Sequence, residues 1–129
     1  MAQTAATKPA APQAASPGTG RAGRITTYAA FWPYYLGEHR QPRTRALHFF
    51  GTGLGVIVLL GAIVMQAWWF LLAALVCGYL FAWIGHFFVE RNKPATFTYP
   101  LWSFYSDFRM LGFWLAGRLE AELKRFQIG

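Results

Sequence analysis

The chain has 129 residues, enough for one small domain, and it is 55% hydrophobic and 19% aromatic. Those fractions exceed what a soluble domain of this size carries, so the composition favours a membrane protein in which lipid replaces much of the missing core. The formal net charge is +7, but the basic residues flank apolar segments, so we expect no nucleic acid partner. A single cysteine, Cys77, excludes an intramolecular disulfide and a cysteine metal site.

We expect two parts along the chain, an N-terminal tail and a membrane domain that begins with an interfacial segment. Residues 1–24 are rich in Ala, Pro, Thr and Gly and contain no acidic residue, which predicts a disordered tail. The remaining residues, 25–129, are expected to form a single membrane domain. The stretch from Ile25 to Arg45 is aromatic and basic, so we expect it to lie at the lipid headgroups and to include a short interfacial helix broken near Pro33 and Pro42.

A run of 44 residues, from Ala46 to Val89, contains no Lys, Arg, Asp or Glu. As one helix it would extend about 66 Å at 1.5 Å per residue, roughly twice the hydrocarbon thickness of a bilayer. The run therefore predicts two transmembrane helices, at about 46–65 and 67–89, that fold back at Gln66. Two glycines spaced by four, Gly51 and Gly55, predict close packing between them.

Five basic residues stand just outside the two spans, and the turn has none. This distribution predicts a multi-pass protein with both termini in the cytoplasm, in a bacterial inner membrane or the endoplasmic reticulum, and favours contact with anionic headgroups. The five residues are Arg40, Arg43, Arg45, Arg91 and Lys93.

A third amphipathic helix is expected at about 100–120, with Pro100 near its first position. Its predicted apolar face contains Leu101, Phe104, Tyr105, Phe108, Leu111, Leu115 and Leu119. Its predicted polar face contains Ser103, Ser106, Asp107, Arg109, Arg118 and Glu120. The predicted fold is thus an all-α membrane protein, a two-span transmembrane hairpin with flanking interfacial helices.

The chain contains three histidines, and the hairpin places all of them at one membrane boundary. His48 lies 18 residues before Gln66 and His86 lies 20 after it, so on antiparallel helices they stand within roughly 3 Å in depth; His39 precedes the first span. Imidazoles with a carboxylate such as Glu90, at i+4 from His86, are suited to Fe(II), Zn(II) or similar ions. Alternatively, each histidine is a polar residue satisfied by headgroups or backbone.

Two stretches then indicate a family. The run His39-Arg-Gln-Pro-Arg-Thr-Arg-Ala-Leu-His48-Phe-Phe-Gly51 and the run Trp83-Ile-Gly-His86-Phe-Phe-Val-Glu-Arg-Asn-Lys-Pro-Ala95 resemble the two signature stretches of a small membrane family. Its best-understood members are the fungal 2-hydroxy fatty acid dioxygenases of the endoplasmic reticulum. The resemblance covers about residues 30–100.

The resemblance implies Fe(II)-dependent α-oxidation, in which a 2-hydroxy fatty acid becomes an acid one carbon shorter. It implies that His39, His48 and His86 are the catalytic metal ligands, and that Glu90 is a weaker candidate, as ligand or as acceptor behind a ligand. A 2-hydroxy acid can chelate iron through two oxygens, and Arg45 or Arg91 would neutralise the headgroup charge.

A different class of function competes with the enzyme. The glycine-faced hairpin and the aromatic third helix would also suit a non-catalytic accessory protein that packs as a homo-oligomer or within a larger membrane complex, with the histidines as polar contacts.

Overall fold

The computed structural model describes residues 19–20 and 23–129, and it is built from helices. Five α-helices are α1 (Tyr28–Gly37), α2 (Pro42–Val64), α3 (Phe70–Ile84), α4 (Pro100–Leu115) and α5 (Leu119–Arg125). A π-helical turn, Gly85–Glu90, continues α3, and a 3-10 turn spans Ala95–Phe97. Two-residue strands, β1 (Thr19–Gly20) and β2 (Arg24–Ile25), pair antiparallel. The all-α prediction is confirmed, whereas most of the predicted tail lies outside the described residues.

The predicted hairpin is present. Pro42–Val64 and Phe70–Glu90 are both long and apolar enough to cross a membrane, and most of each faces outward. The first helix begins four residues before the uncharged run, because Pro42 suits the first helical position and Arg43 and Arg45 do not interrupt a helix. Gln66 adopts a left-handed conformation (φ 50°) in the turn between the two helices.

Glycines bring the two helices close together. A Cβ at Gly51 would lie 2.9 Å from Phe81 Cβ and 3.0 Å from the Cys77 carbonyl oxygen, and one at Gly55 would lie 3.0 Å from the Ala74 carbonyl oxygen. Such distances leave no room for a side chain, so the backbones pack directly on each other. This packing fixes the relative depth of residues on the two helices.

Helix α1 packs on the last two helices through an aromatic core. Its residues Phe31, Tyr35 and Leu36 are fully buried beside Met110 of α4. The predicted break at Pro33 is wrong, since α1 continues through this proline. The helix loses one backbone hydrogen bond there, and the aromatic packing on both sides keeps it helical.

Helix α4 has the reverse orientation of an amphipathic helix on a soluble protein: its apolar residues face outward and its polar residues face inward. Within α4 the predicted polar face turns inward: Ser103 and Ser106 are buried and Asp107 and Arg109 are half-buried, while Leu101 and Leu115 are 82% and 72% exposed. The last two predicted polar residues, Arg118 and Glu120, lie beyond α4 and are exposed. The buried hydroxyls have partners inside the protein, such as the hydroxyl of Tyr28 at 2.9 Å from Ser106 Oγ. The helix also ends at Leu115 instead of near residue 120, because Gly117 (φ 68°) turns the chain into α5. An apolar exterior over a polar interior suits a helix surrounded by lipid.

Candidate metal centre

Three histidines from three elements meet in the interior of the protein. His39 lies in the loop between α1 and α2, His48 lies in the second turn of α2, and His86 lies in the π-helical turn. Their exposed fractions are 0%, 4% and 2%. The Nε2 atom of His48 is 3.0 Å from Nε2 of His39 and 3.2 Å from Nε2 of His86. The structure therefore brings together all three histidines that the sequence singles out.

The opposite ring nitrogens of two histidines contact acceptors. His39 Nδ1 lies 2.7 Å from the carbonyl oxygen of Tyr35, which can only accept a hydrogen bond. His86 Nδ1 lies 2.8 Å from Asn92 Oδ1, and the Asn92 amide nitrogen donates to the Glu38 carbonyl (3.0 Å) and carboxylate (2.9 Å), which assigns the amide orientation. Both Nδ1 atoms therefore donate, and both Nε2 atoms direct a lone pair at the centre of the cluster.

His48 is backed by a carboxylate. Its Nδ1 has no hydrogen-bond partner among the described residues but lies 3.4 Å from Asp107 Oδ1 of α4. The Tyr35 hydroxyl donates a hydrogen bond to the same carboxylate oxygen (2.5 Å). Burial raises the pKa of Asp107 to about 6, opposed by the Tyr35 hydrogen bond and the nearby histidines. Carboxylates and carbonyls behind imidazoles are the usual means by which proteins orient histidine ligands.

The cluster meets the chemical requirements of a cation site. Burial lowers the pKa of His39 well below its usual value, and the neighbouring His48 and His86 lower it further, so its imidazole is neutral as a metal ligand must be. Metal–nitrogen bonds of about 2.1 Å with angles of roughly 90–110° place two ligand nitrogens about 3.0–3.4 Å apart. Two of the three separations, 3.0 and 3.2 Å, fall in that range. All three ligand nitrogens lie within 4.8 Å of one another, so the three histidines could hold a metal ion.

The local backbone at His86 is unusual and positions its partner. The π-helical turn ends at Arg91, which is left-handed (φ 59°), and the Asn92 backbone N–H then donates to the His86 carbonyl oxygen at 3.0 Å. This reversal returns the Asn92 side chain to the His86 ring. A Cβ at Gly85 would lie 3.1 Å from Thr44 Cγ2, so glycine permits the close approach of the turn to α2. Single π-helical turns are frequent at functional sites.

The chain matches a known protein family over most of its length. The family described as "2-hydroxy-palmitic acid dioxygenase Mpo1-like" matches residues 25–119. The chain belongs to this family. The matched range includes all three histidines together with Asn92 and Asp107, and it extends from before α1 to the start of α5. Comparisons with curated proteins and with solved structures returned no match.

The structure does not bring the other predicted site residues into the cluster of this Mpo1-like protein. The Glu90 carboxylate accepts a hydrogen bond from the Gln41 backbone N–H at the start of α2. Arg45 is buried, and its Nη1 donates to the carbonyl oxygens of His39 (2.9 Å) and Arg40 (2.7 Å). Arg91 is exposed at the end of the π-helical turn. Glu90 and Arg45 thus support the loop and helix ends that carry the histidines.

Sequence reasoning missed the acceptors that stand behind the histidines. Asn92 lies in a charged stretch that the sequence analysis treats only as a break between helices, although it follows His86 by only six residues. Asp107 is the sole carboxylate between Pro100 and Leu115, and a lone acid in such an aromatic segment is a signal that could have been followed. The Tyr35 carbonyl is a backbone group and has no sequence signal.

Proposed function

We propose that the protein is a membrane-embedded, Fe(II)-dependent dioxygenase that shortens 2-hydroxy fatty acids by one carbon. The main support for the proposal is the buried set of three histidines. The Nε2 lone pairs of His39 and His86 converge on the ring of His48, and an acceptor lies near the Nδ1 atom of each histidine. Membership of a family described as 2-hydroxy-palmitic acid dioxygenase Mpo1-like supplies the substrate class.

The donor set and the family together favour iron. Neutral imidazoles bind Fe(II) and Zn(II) alike, but Zn(II) has no redox chemistry. Three protein ligands leave further positions on an ion, and a bound Fe(II) would supply the activation of dioxygen. His39, His48 and His86 would hold the ion, and the Tyr35 carbonyl, Asp107 and Asn92 would keep each imidazole in the orientation that exposes Nε2.

The overall reaction balances without an external reductant. A 2-hydroxy acid and one dioxygen molecule give the acid one carbon shorter, carbon dioxide and water. The bond between the carboxyl carbon and the hydroxyl-bearing carbon breaks, the latter becomes the new carboxyl carbon, and the four electrons lost by the two carbons reduce dioxygen. The buried position of the cluster keeps bulk water away from this oxidation.

Charged residues near the cluster would recruit the acid. Arg91 is exposed at the histidine end, where it would attract a carboxylate headgroup. Arg45 is buried and donates to the His39 and Arg40 carbonyls, so its positive charge would act from inside the protein. Glu90, which hydrogen-bonds to Gln41, would hold the His86 turn against α2. The same end also carries Arg40, Arg43 and Lys93, which favours a multi-pass topology with this end and both termini in the cytoplasm, in contact with anionic lipid headgroups.

The test is metal content and turnover of the full chain, purified anaerobically in detergent. We expect about one iron per chain and conversion of 2-hydroxyhexadecanoic acid to pentadecanoic acid, with hexadecanoic acid unchanged, because only the 2-hydroxy acid offers two oxygens in one chelate ring. The triple His→Ala variant is the control and should contain no metal. A metal-free, inactive wild-type protein would contradict the proposal and favour an accessory subunit, as a homo-oligomer or in a larger complex.

A further inference from the structure

A groove runs along the hairpin beside α4, next to the histidine cluster. It is bounded by α2, α3 and α4 and encloses about 240 Å³. Its walls are mostly apolar, with Val56, Leu59, Leu71, Leu75, Phe104 and Phe108 among them. Several of these side chains are exposed, so the groove opens toward the exterior of the hairpin. We call this space the three-helix groove.

The polarity of the three-helix groove changes along its length. Asp107, whose carboxylate lies 3.4 Å from His48 Nδ1, lines one end together with Thr52, one turn after His48. Leu59 and Leu71 line the other end, toward Gln66. From Thr52 to Leu59 the helix rises about 10 Å. A ligand with a polar head at the histidines and an apolar tail toward the turn matches this gradient.

Gly78 gives a second and independent indication that the groove is a binding site. Unlike Gly51 and Gly55, Gly78 has no atom of the described part of the chain within 4 Å of the position of an added Cβ, yet it lines the groove. Helix packing therefore does not require glycine here, and a glycine inside a helix is unfavourable by about 1 kcal/mol relative to alanine. The space left by the absent side chain of Gly78 is therefore part of the groove.

We propose that the three-helix groove binds the acyl chain of the substrate acid, with its head group toward the histidine cluster and its methyl end toward Gln66. This proposal rests on the proposed function for the identity of the head group. It assigns chain-length selection to groove residues on α2, α3 and α4, none of which is a histidine. The depth of the groove, and in particular the space over Gly78, would decide how many methylenes are buried.

The first test fills the groove without disturbing the helix interface. Gly78→Leu places a side chain in the groove, and Gly61→Leu is the matched control because Gly61 also has open space around its Cβ position but does not line the groove. Binding of 2-hydroxyhexadecanoic and 2-hydroxyoctanoic acids to the full chain in detergent is measured by calorimetry. Each methylene excluded lowers affinity about fourfold, so loss of two or more predicts a decrease of tenfold or more for the long acid.

The expected pattern is specific to the groove. Gly78→Leu should weaken binding of the long acid more than that of the short acid, which has fewer methylenes to lose, while Gly61→Leu should change neither. Equal binding of the long acid by Gly78→Leu and wild type would overturn the proposal. Hexadecanoic acid distinguishes failure of the groove proposal from failure of the proposed function. If Gly78→Leu weakens binding of hexadecanoic acid, the groove binds acyl chains even if the wild type shows no turnover.

The second test uses the wild type, so it does not depend on the folding of a variant. Hexadecanoic acid with a terminal diazirine is photolysed with the full chain in phosphatidylcholine vesicles, and the labelled residues are mapped. Labels at Leu59 and Leu75, displaced by unlabelled 2-hydroxyhexadecanoic acid and not by added phosphatidylcholine, support the proposal. Labels on the outward residues Ile57 and Leu72, or displacement by phosphatidylcholine, would overturn it in favour of ordinary lipid contact.

Discussion

The two ends of the hairpin are built from different kinds of interaction. At the histidine end, buried polar groups form a connected set in which His86 is held by Asn92, Asn92 by Glu38, and the backbone of His39 by Arg45. At the turn end, side chains such as Trp69 are large, apolar and exposed, and the turn is closed by backbone hydrogen bonds, among them Ala67 N–H to the Ala62 carbonyl (2.9 Å).

Because of this difference, the residues that matter for folding and the residues that matter for the histidine site lie in different parts of the same two helices. The apolar outer surface can be satisfied by lipid anywhere along the hairpin, so it places no constraint on individual residues. Buried polar groups must be paired one by one, because an unpaired donor or acceptor in an apolar setting costs roughly 1–3 kcal/mol. The histidine end therefore needs specific partners, and substitutions there should have effects that substitutions at the turn end do not.

The largest expected effect comes from the helix contact that joins the two regions. Gly51→Leu should lower the free energy of unfolding by about 3 kcal/mol or more, since the new side chain meets the Phe81 Cβ and the backbone carbonyls of Cys77 and Gly78. It should also abolish metal binding, because the helices can no longer hold His48 and His86 at one depth. Unfolding in denaturing detergent and metal analysis measure the two losses.

Gly53→Leu is the matched control on the same helix. Within residues 19–20 and 23–129, no atom lies within 4 Å of a Cβ added at Gly53. Replacing a helical glycine with leucine gains helix propensity of up to about 1 kcal/mol. We expect this variant to be as stable as the wild type or slightly more stable, with unchanged metal binding. Equal destabilisation by both substitutions would show that the close approach at Gly51 does not set the hairpin.

The hairpin was predictable from the sequence because its determinants are local. An uncharged run of this length has to fold back, His48 and His86 stand at nearly equal distances from Gln66, and glycines four residues apart permit close packing. The approach of His48 to His86 follows from the same three facts, and His39 lies only three residues before the first of the two helices. Its metal role and the identity of the ion remain predictions from the residues and from the family resemblance.

The remaining features depend on tertiary contacts or on the surroundings of the chain. Periodicity correctly gives two faces of α4, but it does not say that the polar face packs inside, because that depends on whether water or lipid lies outside. The continuation of α1 through Pro33 depends on aromatic packing against distant helices. The pairings of Asn92 with His86 and of Asp107 with His48 require the π-helical turn and the docking of α4, neither of which has a clear local signal.

An intermediate effect is expected from removing a single orienting group at the histidine end. Asn92→Ala removes the acceptor of His86 Nδ1, so the ring loses its fixed orientation, and metal affinity should fall by roughly 10–100-fold. The fold should persist, since the hairpin interface is untouched. Competition with a chelator measures the affinity. Lys93→Ala is the neighbouring control and should bind metal as the wild type does; an equal loss in both variants would mean that Asn92 has no specific role.

The smallest expected effect is at the turn end. Trp69 is 73% exposed and its ring stacks on that of Phe70, with centroids 3.8 Å apart. It precedes His86 by 17 residues, which is about 25 Å along a helix. Sites so far apart without shared partners usually affect each other by less than about 0.5 kcal/mol, so Trp69→Ala should change metal affinity by no more than about twofold. The same chelator competition gives the comparison with Asn92→Ala. A tenfold loss in Trp69→Ala would show that the turn transmits strain along the hairpin to the histidines, and the two ends would then have to be treated as one unit.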